Sequence, residues 1–174
     1  ATISSGTTIC SGTSTTLTIT GTPGATVTYN VGGGSNTTTN LDGSGNATIN
    51  TGNLTTATTY NLVSIASNGT PNCSQNLSGS STINITNLPT VTISGSTTIC
   101  SGATATITFT GTPNAVVRYL INNTGTAQNI TLDASGTATL TTSPLTATTT
   151  YDLVDVSVGA SCIQTQSGVV TITV

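Results

Sequence analysis

Short runs in which apolar and polar residues alternate recur along the whole chain. Leu17-Thr18-Ile19-Thr20, Ala47-Thr48-Ile49-Asn50 and Ile83-Asn84-Ile85-Thr86 are examples. A period of two places the apolar members on one face of a strand and the polar members on the other. Turn-forming residues separate the runs, as in Gly21-Thr22-Pro23-Gly24, Gly32-Gly33-Gly34-Ser35 and Asp42-Gly43-Ser44-Gly45. Glycine supplies positive φ in such places, proline presets φ, and Asn or Asp folds back on its own backbone. In the first half the pattern predicts about seven strands, near 1–4, 15–20, 26–31, 37–41, 46–50, 58–66 and 81–86. No segment sustains a helical period. No apolar run approaches the roughly eighteen residues that a membrane helix needs, so membrane insertion is not expected.

The second half repeats the first. Thr7-Thr8-Ile9-Cys10-Ser11-Gly12 returns as Thr97-Thr98-Ile99-Cys100-Ser101-Gly102, and Gly21-Thr22-Pro23 as Gly111-Thr112-Pro113. Tyr29 returns as Tyr119, Leu41-Asp42 as Leu132-Asp133, and Cys73 as Cys162. Thr59-Tyr60-Asn61-Leu62-Val63 returns as Thr150-Tyr151-Asp152-Leu153-Val154. A self-similar unit of about 90 residues, built from short strands and turns, is the size of a small β-sandwich domain. The chain therefore reads as all-β, with two tandem β-sandwich domains of about seven strands each, at 1–88 and 89–174. The boundary falls near Asn87-Leu88-Pro89-Thr90.

Composition narrows the chemistry. Of 174 residues, 46 are Thr, 20 Ser, 19 Gly and 16 Asn; there is one Arg, four Asp, and no Lys, Glu, His, Met or Trp. General acid–base catalysis draws mainly on His, Glu, Asp and Lys, and a nucleophilic triad needs a base, usually His. An enzyme is not expected, and no residue is assigned a catalytic, cofactor or metal role. One Arg cannot neutralise a run of phosphates, so nucleic acid is excluded as a partner. Only 3% of residues are charged, so little repulsion opposes collapse, and β-branched Thr, Val and Ile suit a pleated surface.

Four cysteines, Cys10, Cys73, Cys100 and Cys162, allow three disulfide pairings. Equal spacing within the repeats favours Cys10–Cys73 and Cys100–Cys162, each tying the segment before the second strand to the segment after the sixth. No Cys-x-x-Cys spacing supports a metal site, and persistent disulfides imply an oxidising compartment. Arg118 and Asp152 flank Tyr119 and Tyr151 on strands expected to be neighbours. If both tyrosines face inward, the two charges face outward and form a surface ion pair. Asp42 and Asp133 each stand alone in a turn, which suits a hairpin better than the several carboxylates of a calcium site. Tyr29, Tyr60, Tyr119 and Tyr151 occupy paired repeat positions and read as core residues. Nine Asn-x-Ser/Thr sequons occur, a weak excess over chance in so Thr-rich a chain.

The order Thr-Ile-Cys-Ser-Gly, alternating Thr/Ile, Gly-Thr-Pro, Ala-Thr-x-Thr-Tyr-x-Leu-Val and a second Cys resembles the repeats of giant secreted surface proteins of Bacteroidetes. These include adhesins of gliding bacteria exported by the type 9 secretion system. The resemblance covers both copies. It implies immunoglobulin-like repeats on a cell surface or extracellular filament, with neighbouring repeats of the same or identical chains as partners, and it carries over no ligand residues. The expected function is a structural or adhesive module that spaces or presents binding surfaces. The alternatives are a filament subunit that stacks end to end, and a carbohydrate-binding module whose partners would be surface glycans.

Overall fold

A computed structural model describes residues 1–174. The chain forms two compact units, Ala1–Asn87 and Leu88–Val174, with strands and turns and no helix.

Unit 1 contains β1 (Thr2–Ile3), β2 (Thr8–Cys10), β3 (Thr16–Thr20), β4 (Thr26–Val31), β5 (Asn36–Asn40), β6 (Asn46–Asn50), β7 (Thr58–Ala66), β8 (Ser74–Asn76) and β9 (Ser80–Thr86). One sheet has the order β1-β3-β6. The other has the order β2-β9-β7-β4-β5, with β8 added to β7. All pairings are antiparallel except that of β2 with β9. The alternation in the sequence sets the faces. Leu17 and Ile19 of β3 are buried between exposed Thr16, Thr18 and Thr20. They meet Ile49 of β6 and, from the facing sheet, Val27, Tyr60, Leu62 and Ile83.

Unit 2 repeats this plan with β10 (Val91–Ser94), β11 (Thr97–Thr98), β12 (Thr106–Gly111), β13 (Val116–Ile121), β14 (Thr124–Thr131), β15 (Thr137–Thr141), β16 (Thr149–Val158), β17 (Cys162–Thr165) and β18 (Val169–Thr173). Its sheets run β10-β12-β15 and β11-β18-β16-β13-β14, with β17 on β16. Two layers of antiparallel strands closing on one core, with sequential strands divided between the layers, form an immunoglobulin-like sandwich. Each unit has nine strands where the alternation predicts about seven. The extra ones, β2 and β8 with their counterparts β11 and β17, are two to four residues long.

The turns carry their own supports. Asp42 Oδ1 accepts from the backbone N–H of Ser44 at 2.8 Å and of Asn46 at 2.9 Å. Asp133 does the same for Ser135 and Thr137. Gly45 and Gly136 sit at φ +79° and +80°, where a Cβ would lie 2.3 and 2.2 Å from the carbonyl oxygens of Gly21 and Gly111. Both the handedness and the space therefore require glycine. Thr51 and Thr142 lend their hydroxyls as acceptors to the backbone N–H of Thr15 and Ala105, each at 3.0 Å.

Candidate functional site

Each repeat carries two cysteines, and their placement corrects the expected pairing. Cys10 closes β2, which runs alongside the last residue of β9, Thr86. Because β9 is antiparallel to β7, with Thr58 opposite Ile83, Cys10 lies at the end where β7 begins. Cys73 lies in the loop after β7. Its N–H donates to Ser67 Oγ at 3.0 Å, and its carbonyl accepts from the Ser67 N–H at 2.8 Å. The nine residues of β7 separate the two positions by more than about 25 Å at the usual rise of roughly 3.3 Å per residue. A disulfide needs Cα atoms within about 7 Å. Unit 2 has the same layout: Cys100 follows β11, beside the start of β16, and Cys162 pairs with Val158 at the end of β16. The within-repeat pairs Cys10–Cys73 and Cys100–Cys162 are accordingly not made. Cys10 and Cys162 are buried and disulfide-bonded, whereas Cys73 and Cys100 are exposed free thiols.

Arg118 is ion-paired, but with Asp155 and not with the expected Asp152. Its Nε donates to Asp155 Oδ1 at 2.8 Å and Oδ2 at 3.0 Å, and its Nη2 donates to Oδ2. The cause is a β-bulge. Tyr119 stands opposite Leu153, while Arg118 stands opposite Asp155, so one residue of β16, Val154, is left over. Asp152 falls opposite Leu120 and accepts instead from Thr150 Oγ1 at 2.9 Å. Unit 1 has the same bulge: Thr28 opposes Ser64, Tyr29 opposes Leu62, and Val63 is left over. The Arg118 side chain is half exposed, whereas that of Asp155 retains 10% of its surface. Hydrogen bonding to Asp155, then its charge, raises the guanidinium pKa above its ordinary value.

Asp133 is held below its ordinary pKa, first by the Ser135 hydroxyl, which donates at 2.6 Å, and then by the Thr137 N–H. Its carboxylate is thus occupied in shaping the turn. Tyr60, Tyr119 and Tyr151 are buried, and burial pushes their hydroxyl pKa values up. Tyr29 is half-buried against the core and Phe109 is fully enclosed. The aromatic rings are core residues, and a sugar-stacking platform would need exposed ones.

Sequence reasoning missed two open cavities in unit 1, each of about 490 Å³: one lined by residues from Ala1 to Ile3 and Gln75 to Ser80, the other by Thr22, Ala25, Ile65, Ser67, Cys73 and Gln75, among others. Each lining joins separate segments, so no local motif announces it.

Among solved structures, the chain is similar to a marsupial T cell receptor at 12% identity, covering 99% of this chain and 72% of that one, with a TM-score of 0.60. It also matches a 1.5-MDa bacterial ice-binding adhesin, described for host cell surface retention, at 15% identity, 99% and 63% coverage and a TM-score of 0.49. Fibronectin(III)-like modules of Clostridium thermocellum CbhA match at 16% identity, 99% and 93% coverage and a TM-score of 0.43. The chain spans 63% of the length of the adhesin chain. The T cell receptor likeness shows the shared immunoglobulin-like fold and nothing about function. No protein-family model matches the sequence, and no curated relative matches it.

Proposed function

We propose that the chain is a structural and adhesive module of an extracellular, cell-surface protein, in which sandwich units space or present a binding surface. What supports this reading is the division between what the repeats share and what they vary. Shared positions close the core: Val27 and Val117, Leu41 and Leu132, Tyr60 and Tyr151, Leu62 and Leu153, Ile83 and Ile172 are all buried. Positions that carry charge in unit 2 differ, as with Thr28 against exposed Arg118, Asn61 against Asp152, and Ser64 against buried Asp155. Repetition that keeps a closed interior while single positions change, inside (Ile19 against Phe109, Ser81 against Val170) as well as outside, suits a part that works through its shape. Disulfide-bonded Cys10 and Cys162 fit an oxidising, extracellular setting.

The test is mechanical. Pulled from its ends in reducing buffer, a shaft module should resist and then yield in two force peaks. Each unit of 87 residues should release about 300 Å of chain at roughly 3.5 Å per residue. Extension without peaks would contradict the reading. A second reading, a filament subunit that polymerises end to end, is favoured by one observation: Cys73 and Cys100 are exposed thiols.

A further inference from the structure

Each cysteine has a counterpart in the other repeat: Cys10 matches Cys100, and Cys73 matches Cys162. One member of each matched pair, Cys10 and Cys162, is disulfide-bonded, and the other, Cys100 and Cys73, is a free exposed thiol. Each kind of position is thus disulfide-bonded in one copy of the repeat and an open thiol in the other. The two free thiols also lie at different kinds of unit end. Cys100 lies where β16 begins and Cys73 lies beyond the end of β7.

Their surroundings differ. Cys73 lines one of the two open cavities of unit 1, beside Ala25 and Ile65. Cys100 belongs to a tight exposed turn, Cys100-Ser101-Gly102, closed by the Ala103 N–H donating to the Cys100 carbonyl at 3.0 Å. Gly102 makes the turn possible at φ +85°, with nothing within 4 Å of where a Cβ would stand. An exposed turn and an open cavity, each carrying one thiol, are different surfaces, and a contact between different surfaces is heterologous, the kind that builds open chains of subunits when it does not close into a ring.

We propose that Cys100 of one copy forms a disulfide with Cys73 of a second copy, linking copies head to tail. This deepens the structural reading above and rests on it. The oxidant is a low-molecular-weight disulfide such as oxidised glutathione. The Cys100 thiolate attacks one of its sulfurs, which forms a mixed disulfide and releases one small thiol that takes up the Cys100 proton. The Cys73 thiolate of the second copy then attacks the Cys100 sulfur. The Cys100–Cys73 bond forms, the mixed bond breaks, and the second small thiol leaves with the Cys73 proton. Per link, two protein thiols are oxidised and one small disulfide is reduced to two thiols.

The test uses the full chain, Cys73→Ser and Cys100→Ser in a glutathione redox buffer, quenched with acid and alkylating reagent and run on non-reducing gels. The full chain should give a ladder of multiples. Each variant alone should remain monomeric, and an equal mixture of the two should give a dimer. Digestion with pepsin at low pH, followed by mass spectrometry, should find the Cys73 peptide joined to the Cys100 peptide. Both residues are exposed, and matching circular dichroism spectra will verify that the variants fold. Absence of dimer, homodimers as abundant as mixed dimers, or Cys73 joined to Cys10 or Cys162 would overturn the proposal. Loss of the ladder while both force peaks persist would sink this link alone; loss of the force peaks would sink the module reading beneath it.

Discussion

In unit 2, Phe109, Tyr119 and Tyr151 form a row of tilted rings with centroids 5.4 and 6.3 Å apart. In unit 1 the first position of that row is Ile19, and Tyr29 is only half-buried. Where unit 2 buries Val170 on β18, unit 1 places Ser81 on β9, whose hydroxyl is enclosed without a hydrogen-bond partner. Where unit 2 has the Arg118–Asp155 pair across its bulge, unit 1 has Thr28 and Ser64. Both have the same strand order and the same bulge, although the loops after β4 and β7 are longer than those after β13 and β16, so the backbone plan does not depend on these choices. Fold and stability are separable here: the shared residues specify the sandwich, and the varied ones set how firmly each copy holds. Aromatic pairs contribute about 0.5–1.5 kcal/mol beyond their area, and an enclosed, unpaired hydroxyl costs about 1–3 kcal/mol. Unit 2 also encloses one acceptor without a partner, Gln164 Oε1, so the row of rings decides the order, and unit 1 is the weaker copy.

That difference can be inverted, equalised or trimmed. The largest effect is expected from Phe109→Ala, which removes a fully buried ring at a cost of about 3–5 kcal/mol. In denaturant titrations unit 2 should then unfold before unit 1. Gly45→Ala and Gly136→Ala force the same left-handed, crowded position in each copy. Each should cost about 2–3 kcal/mol, lowering both transitions by similar amounts and leaving their order unchanged. Ser81→Val copies the unit 2 residue into unit 1 and should stabilise it by about 1–2 kcal/mol, raising only the earlier calorimetric transition. Arg118→Thr leaves the mostly buried Asp155 carboxylate without its partner. It should lower the unit 2 midpoint, and adding Asp155→Ser, which reproduces unit 1, should recover most of the loss.

The smallest expected effect is on pH dependence. The folded pKa of Asp133 lies below its ordinary 3.8, so the unfolded state binds the proton more readily. The stability this group contributes is fully present above the unfolded value and fades as pH falls through the folded one. Ser135→Ala removes the largest cause of the depression. Carboxyl NMR titration should find the Asp133 midpoint moved upward, with unit 2 becoming slightly more acid-sensitive.

The main strands were legible because Leu17, Ile19, Ile49 and Ile83 alternate with polar neighbours, and only a strand buries such a set on one face. The short strands were not. Ser74-Gln75-Asn76 has no apolar member and is fully exposed, so its pairing with β7 comes from the preceding loop rather than from burial. The partner of Arg118 was hidden because a bulge shifts register by one residue without marking Val63 or Val154 in the sequence. The cysteine pairing was misleading for a plainer reason. Equal spacing within two repeats follows from duplication alone, and it says nothing about whether the two sulfurs share one end of a sandwich.

The account depends on each repeat being a complete sandwich with its own interior. The most direct measurement is to prepare residues 1–87 and 88–174 as separate chains in reducing buffer and follow their unfolding by circular dichroism. Two β-type spectra with cooperative transitions, the first at lower denaturant than the second, are the expected result. A half that stays unstructured alone, or a first half more stable than the second, would contradict it.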